Sequence, residues 1–279
     1  PVPRNRSFML LRVAAVATAV VGLTSLVRSA PTAEAYVAFD NTTTDQEHHR
    51  NDILLPRVSP VEIVRPEFAA LQAADTVALQ ILSANDFHGN LEPPTGSSGN
   101  IATAGGMVAS GGAEYLSTHI ANLRKNNPNT ILVSAGDLIG ASPFLSALFH
   151  DEPTIESLSQ MGLAITSVGN HEFDEGWQEL KRMQDGGCHP KDGCKGPKPF
   201  EGATFEYLAA STYLDTGETL FPAYTVREFD GVKVGFIGLT LEGTPDVITP
   251  AAKVGIRFAD EAETVNALVP KMQADGIEA

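Results

Sequence analysis

Short β-rich apolar runs alternate along this chain with stretches of helical spacing. Thr76–Ala84 (TVALQILSA), Thr130–Ala135 (TILVSA) and Ile165–Val168 predict three strands, each followed by a turn that carries glycine. Between the first two, Ala113–Asn126 places Leu116, Ile120 and Leu123 at helical spacing, and Pro128-Asn129 ends the pattern. Pro143–Phe149 and Thr154–Met161 predict helices before the third strand, and Trp177–Gln184 predicts one after it. Phe205–Ala210 predicts a strand, while Ala223–Phe229 and Val232–Leu239 flank Asp230-Gly231, a hairpin signal. Glu261–Ala274 predicts a last helix, and Gly276–Ala279 reads as the opening of a further strand, so the domain is expected to be truncated at its C-terminal side. Strand–helix alternation of this kind predicts a layered α/β fold. Pro93–Gly112, rich in glycine, serine and proline, predicts a flexible loop; its Ala104–Gly112 lacks the Lys-Ser/Thr of a phosphate-cradling loop.

The N-terminal region follows a different pattern. Arg4, Arg6 and Arg12 precede the apolar run Val13–Val27, and Ala33-Glu34-Ala35 follows as a small-x-small cleavage signal. Residues 1–35 therefore read as a secretory signal peptide, the run being short for a membrane span of about 20 residues. Residues 36–75 lack periodicity and read as a mobile lead-in, in which His48-His49 is taken as solvated and Asn41-Thr42-Thr43 is a glycosylation sequon. Residues 76–279 form the folded domain. No other stretch is apolar enough to cross a membrane, so a secreted, periplasmic or envelope-associated protein is expected.

Charge narrows the class. The formal net charge is −15, and removing residues 1–35, with four arginines and one glutamate, takes it to −18. Such a surface repels a phosphate backbone and excludes a general nucleic-acid binder that works without metal ions. Two cysteines exclude a disulfide-dense scaffold; Cys188 and Cys194, six apart in an exported chain, are expected to close a local loop.

The chemistry gathers where the strands end. Asp86 and His88 follow the first, Asp137 the second and Asn170 the third. Groups at strand carboxyl ends share one edge of an α/β sheet, where binding crevices form. Asp-x-His offers a hard oxygen and an imidazole from one turn, a lone Asp can bridge two ions, and Asn adds a neutral oxygen. Mixed oxygen and nitrogen donors suit zinc, manganese or similar ions. Two such ions can clamp a phosphate and supply hydroxide. His171 then stands where it can protonate a leaving oxygen, with Asp174 orienting its ring.

Asp86-Phe87-His88-Gly89-Asn90, Gly136-Asp137 and Gly169-Asn170-His171-Glu172-Phe173-Asp174 resemble the calcineurin-like metallophosphoesterases. The similarity is to the secreted bacterial branch of 5′-nucleotidases, UDP-sugar hydrolases and 2′,3′-cyclic-nucleotide phosphodiesterases, over residues 76–279. It implies a layered β-sandwich flanked by helices and two divalent ions, Zn, Mn or similar. Asp86 and His88 are implied on one metal, Asp137 bridging both, Asn170 on the second, and His171 with Asp174 as the transition-state dyad. The family also has two further histidine motifs and a C-terminal nucleotide-binding domain, absent here. His119, His150 and His189 stand in no such context, so little hydrolysis is expected of the fragment itself. Ser211 stands where the family often has Asn. The implied reaction is hydrolysis of nucleoside 5′-monophosphates or related phosphate esters. The same site also serves cyclic-nucleotide, UDP-sugar or nuclease chemistry. A non-catalytic exported binding protein is the alternative from another class.

Overall fold

The computed structural model describes residues 20–27 and 76–279. The rest of residues 1–75, expected to hold a signal peptide and a lead-in with His48, His49 and the Asn41 sequon, lies outside the described residues. Within the apolar run Val13–Val27, Val20–Val27 is a strand, β1, antiparallel to β2 (Thr76–Ser83). From β2 onward the sheet is parallel: β2 pairs with β5 (Thr130–Ser134), β5 with β6 (Leu163–Ser167), and β6 with β7 (Glu206–Leu208).

Parallel strands need crossovers, and helices supply them. Helix α1 (Ala113–Arg124) leads to β5, α2 (Phe144–Ala147) and α3 (Glu152–Gln160) to β6, and α4 (Trp177–Asp185) follows β6. Arg124 closes the first crossover by donating from its guanidinium to the carbonyls of Met161 at 2.6 Å and Gly162 at 2.7 Å.

The β-strand period of two sorts neighbouring side chains to opposite faces. Leu132 and Tyr207 face the helices and join Ile155, Leu158, Leu180, Met183 and Phe173 in the larger core. Ile131 and Leu208 face the other way, with Leu79 and Ile165, against Val232 and Val234 of a hairpin. That hairpin, β9 (Tyr224–Phe229) and β10 (Val232–Ile237), turns at Asp230-Gly231. The layers are thus helices, parallel sheet and a second β layer, which is a two-stranded hairpin among the described residues. Helix α5 (Glu261–Ala274) covers β10, with Asp260 capping it by accepting from the Glu263 amide at 2.7 Å. Beyond it, the Glu278 amide donates to the Lys233 carbonyl and the Gly235 amide to the Ala279 carbonyl, so the expected strand start lies along β10.

Two expectations need correction. Pro93–Gly112 is not irregular throughout: β3 (Asn100–Thr103) and β4 (Gly106–Ala109) form an exposed hairpin joined by the two-residue turn Ala104-Gly105. Strand β8 (Thr212–Leu214), paired with β11 (Ile256–Phe258), also goes unread in the sequence, three residues being too few to show a period. Trp177 packs on the larger core, and its indole N–H donates to the Val254 carbonyl at 3.0 Å. No helix among the described residues is long and apolar enough to cross a membrane.

Candidate functional site

Asp86, His88 and Asp137 all adopt left-handed backbone, at φ 52, 45 and 53°. Non-glycine residues hold such angles only where their surroundings over-determine them. Here the turns after β2 and β5 are stitched together. The amides of Asp86, His88 and Gly89 donate to the carbonyls of Gly136, Asp137 and Leu138. Asn85 Oδ1 accepts from the Ala135 amide at 2.7 Å, and Ser167 Oγ ties the end of β6 to the Ala135 carbonyl at 2.7 Å.

The third turn closes on the second. A Cβ at Gly136 would stand 2.3 Å from the Gly169 nitrogen, and one at Gly169 2.2 Å from Asp137 Oδ1. Only glycine fits either place. Asn170 lies between Gly169 and His171, both against Asp137; the His171 amide donates to Asp137 Oδ1 at 2.9 Å. We expect Gly169→Ala to displace the Asp137 carboxylate and lower the metal content of purified protein. Wild-type metal content with an unchanged melting temperature would refute this.

Glu172 is the residue sequence reasoning missed. It is buried, and its carboxylate accepts from three amides: Asp137 at 2.8 Å, Leu138 at 2.8 Å and Gly169 at 2.7 Å. Burial first, then the Asp137 charge, push its pKa up to about 7 against those three donors. Two of its three partners lie 34 and 35 residues upstream, so no local pattern marks that role. Asp151 acts similarly one turn away, accepting from the Gly140 amide at 3.1 Å and from Ser146 Oγ at 2.6 Å. Buried Ser211 Oγ donates to the Thr240 carbonyl, and Thr240 Oγ1 to the Val168 carbonyl just before Gly169.

Hydrogen bonds set the imidazole tautomers. His88 Nδ1 donates to the Gly140 carbonyl at 2.9 Å, leaving the Nε2 lone pair for a ligand. His171 Nδ1 lies 2.9 Å from Asp174 Oδ2, which also accepts from the Ala141 amide. Partial burial opposes charge on His171. The Asp174 hydrogen bond and charge, followed by Asp137 and Glu172, outweigh it and raise the pKa above the usual histidine value. The His88 and His171 rings meet edge-on, centroids 4.7 Å apart. Ligand atoms of Asp86, His88 and Asp137 lie within 4.8 Å of one another. Two carboxylates and an imidazole nitrogen suit a divalent ion of the zinc or manganese class.

Three strand ends carrying metal-type donors beside a His–Asp pair coincide with a family match. The calcineurin-like phosphoesterase pattern covers residues 79–240. The chain belongs to this family. Its calcineurin-like domain is 36% identical over 206 residues to Endonuclease YhcR of Bacillus subtilis, covering 73% of this chain and 16% of that protein. It is 39% identical over 223 residues to the cell wall protein Lmo0130 of Listeria monocytogenes, covering 75% and 28%. A 5′-nucleotidase of Vibrio vulnificus is 29% identical over 203 residues, covering 72% and 32%. The crystal structure of a 5′-nucleotidase precursor from Thermus thermophilus shares the fold at TM-score 0.57 and 22% identity, covering 71% and 35%. The chain thus spans less than a third of each of these three sequence relatives.

Proposed function

We propose that this phosphoesterase is exported and hydrolyses nucleoside 5′-monophosphates or related phosphate esters to nucleoside and phosphate. The observation that carries the reading is the convergence of Asp86, His88 and Asp137 within 4.8 Å, with the His171 ring against His88. Asp86, His88 and Asp137 would hold one divalent ion, and Asp137 with Asn170 would be this chain's contribution to a second. Such ions supply Lewis acidity to the phosphoryl oxygens. His88 presents Nε2 because Gly140 holds its other nitrogen, and Asp137 keeps one oxygen on the His171 amide. His171, charged and oriented by Asp174, gives its proton to the leaving ester oxygen as the P–O bond breaks and water's oxygen joins phosphorus.

Export is supported by the leader pattern, by the Cys188–Cys194 disulfide, and by similarity to a protein named for the cell wall. Similarity to an endonuclease keeps phosphodiester cleavage by the same site as the second reading. The deciding assay presents the longest natural form of the protein with 5′-AMP, 2′,3′-cyclic AMP, a UDP-sugar and single-stranded DNA, with added Mn or Zn. Phosphate release fastest from 5′-AMP is expected. Cleavage of DNA alone would replace this reading with the second, and no hydrolysis of any would overturn both.

A further inference from the structure

Beyond the dyad loop, two histidines and three carboxylates converge from four segments. His150 follows α2, Glu175 directly follows Asp174, Glu179 lies in α4, and His189 and Asp192 lie inside the loop closed by the Cys188–Cys194 disulfide. The two imidazoles stack, with centroids 3.9 Å apart and planes 12° from parallel. His150 Nδ1 is 2.8 Å from Glu175 Oε2, and its Nε2 is 3.0 Å from Asp192 Oδ2. His189 Nε2 faces Glu175 Oε2 at 4.0 Å and Glu179 Oε2 at 3.9 Å. Ligand atoms of His150, Glu175, Glu179 and His189 all lie within 4.8 Å of one another.

Charge favours a cation here. The side chains of His150, His189 and Glu179 are only 14, 11 and 11% exposed. Arg182 pairs with Glu179 and Glu152, and Lys195 lies 3.6 Å from Asp192. With Glu175, four carboxylates in these contacts face two cations. Neutral histidines leave two negative charges in excess, which one divalent ion balances.

We propose that His150, Glu175, Glu179 and His189 form a second metal site, separate from the strand ends, that takes a divalent ion of the zinc class and braces the dyad loop. Two imidazole nitrogens and two carboxylate oxygens suit a four-coordinate zinc-class ion, whereas calcium and magnesium take oxygen shells. The hydrogen bonds of His150 are compatible with ligation as they stand, and those of His189 need one rearrangement. Asp192 accepts the Nε2 proton of His150, which leaves Nδ1 for the ion. Arg182 donates from Nη2 to Glu179 Oε1 at 2.6 Å and from Nε to Oε2 at 3.0 Å, and the second lone pair of Oε2 faces His189 at 3.9 Å. His189 Nδ1 now accepts from the Asp192 amide at 3.1 Å; ligation through Nε2 would move the ring proton to Nδ1, break that bond and require Asp192 Oδ2, 4.0 Å away, to turn in and receive the proton. The disulfide keeps the loop that carries His189 and Asp192 short. A cavity of about 120 Å³, bordered by His150, His171, Asp174 and Glu175, separates this site from the dyad. An ion on Glu175 therefore restrains the residue next to Asp174.

The test uses the full chain carrying Asp86→Asn, His88→Ala and Asp137→Asn, so that its outcome is independent of the strand-end site and of the proposed hydrolysis. Zinc is titrated against a chromophoric chelator, and X-ray absorption at the zinc edge reads the ligands. One zinc with nitrogen and oxygen ligands and no sulfur is expected. Adding His150→Ala or His189→Ala should abolish that zinc, and Asp192→Asn should weaken it about 10–100-fold. No stoichiometric zinc in the triple variant, or equal zinc after either alanine change, overturns the proposal. Circular dichroism checks folding, and should an alanine variant fail to fold, His189→Gln is read by the same criterion.

Discussion

The His171→Ala variant of the full-length protein is expected to hydrolyse 5′-AMP about 10²–10⁴-fold more slowly while keeping its metal content. The ring nitrogen that faces substrate carries the proton a nucleoside leaving group needs. Asp174 holds the other nitrogen at 2.9 Å and favours the charged ring. Nothing in the His171 side chain is needed to hold Asp137, since that contact comes from the backbone amide and survives truncation to alanine. The loss should therefore depend on the leaving group. A p-nitrophenyl ester, whose leaving oxygen departs without a proton, should lose far less than 5′-AMP. Equal losses on both esters would remove His171 from the proton-transfer role. Unchanged rates on both would remove it from the mechanism.

Glu172→Ala is expected to give the largest loss of stability of any single change at this edge. It strands the amides of Asp137, Leu138 and Gly169, each a donor with a carboxylate partner now. Leaving a buried donor unpaired costs about 1–3 kcal/mol. Part of that is offset, because burying the carboxylate is itself unfavourable, as its raised pKa of about 7 shows. A net loss of several kcal/mol is a large share of the roughly 5–15 kcal/mol that holds a domain together. Denaturant melts of the metal-free chain measure it. Glu172→Gln should rescue poorly, since its amide nitrogen would face a backbone N–H instead of accepting from it. A melting midpoint equal to wild type for either variant would show that the three turns hold their shape without this strut.

Much of the fold was legible because its signals are short-range. Pro128-Asn129, Asp230-Gly231 and the glycines after each strand act through their own backbone over a few residues, so the strands and helices around them could be placed to within a few positions. Helix α5 was read at its observed bounds, and the structure adds Asp260 as its cap. The exposed hairpin at β3–β4 was missed because its apolar residues, Ile101, Met107 and Val108, face solvent and show no core pattern. Asp86, His88, Asp137, Asn170, His171 and Asp174 were legible as a group because parallel strands bring their carboxyl ends to one edge, whatever the packing beneath.

The sequence by itself thus determined the order of the main strands and helices, the grouping of Asp86, His88 and Asp137 at the strand ends and the His171–Asp174 pairing, all of which depend on spacings of a few residues. Only the tertiary structure decided that Glu172 supports the Asp137-Leu138 turn more than thirty residues upstream, that Gly140 sets the tautomer of His88, and that His150 stacks on His189. The physical reason is that such contacts join segments distant in the chain. They are made by crossover helices and close-packed layers, which leave no periodic or local mark on the residues that meet.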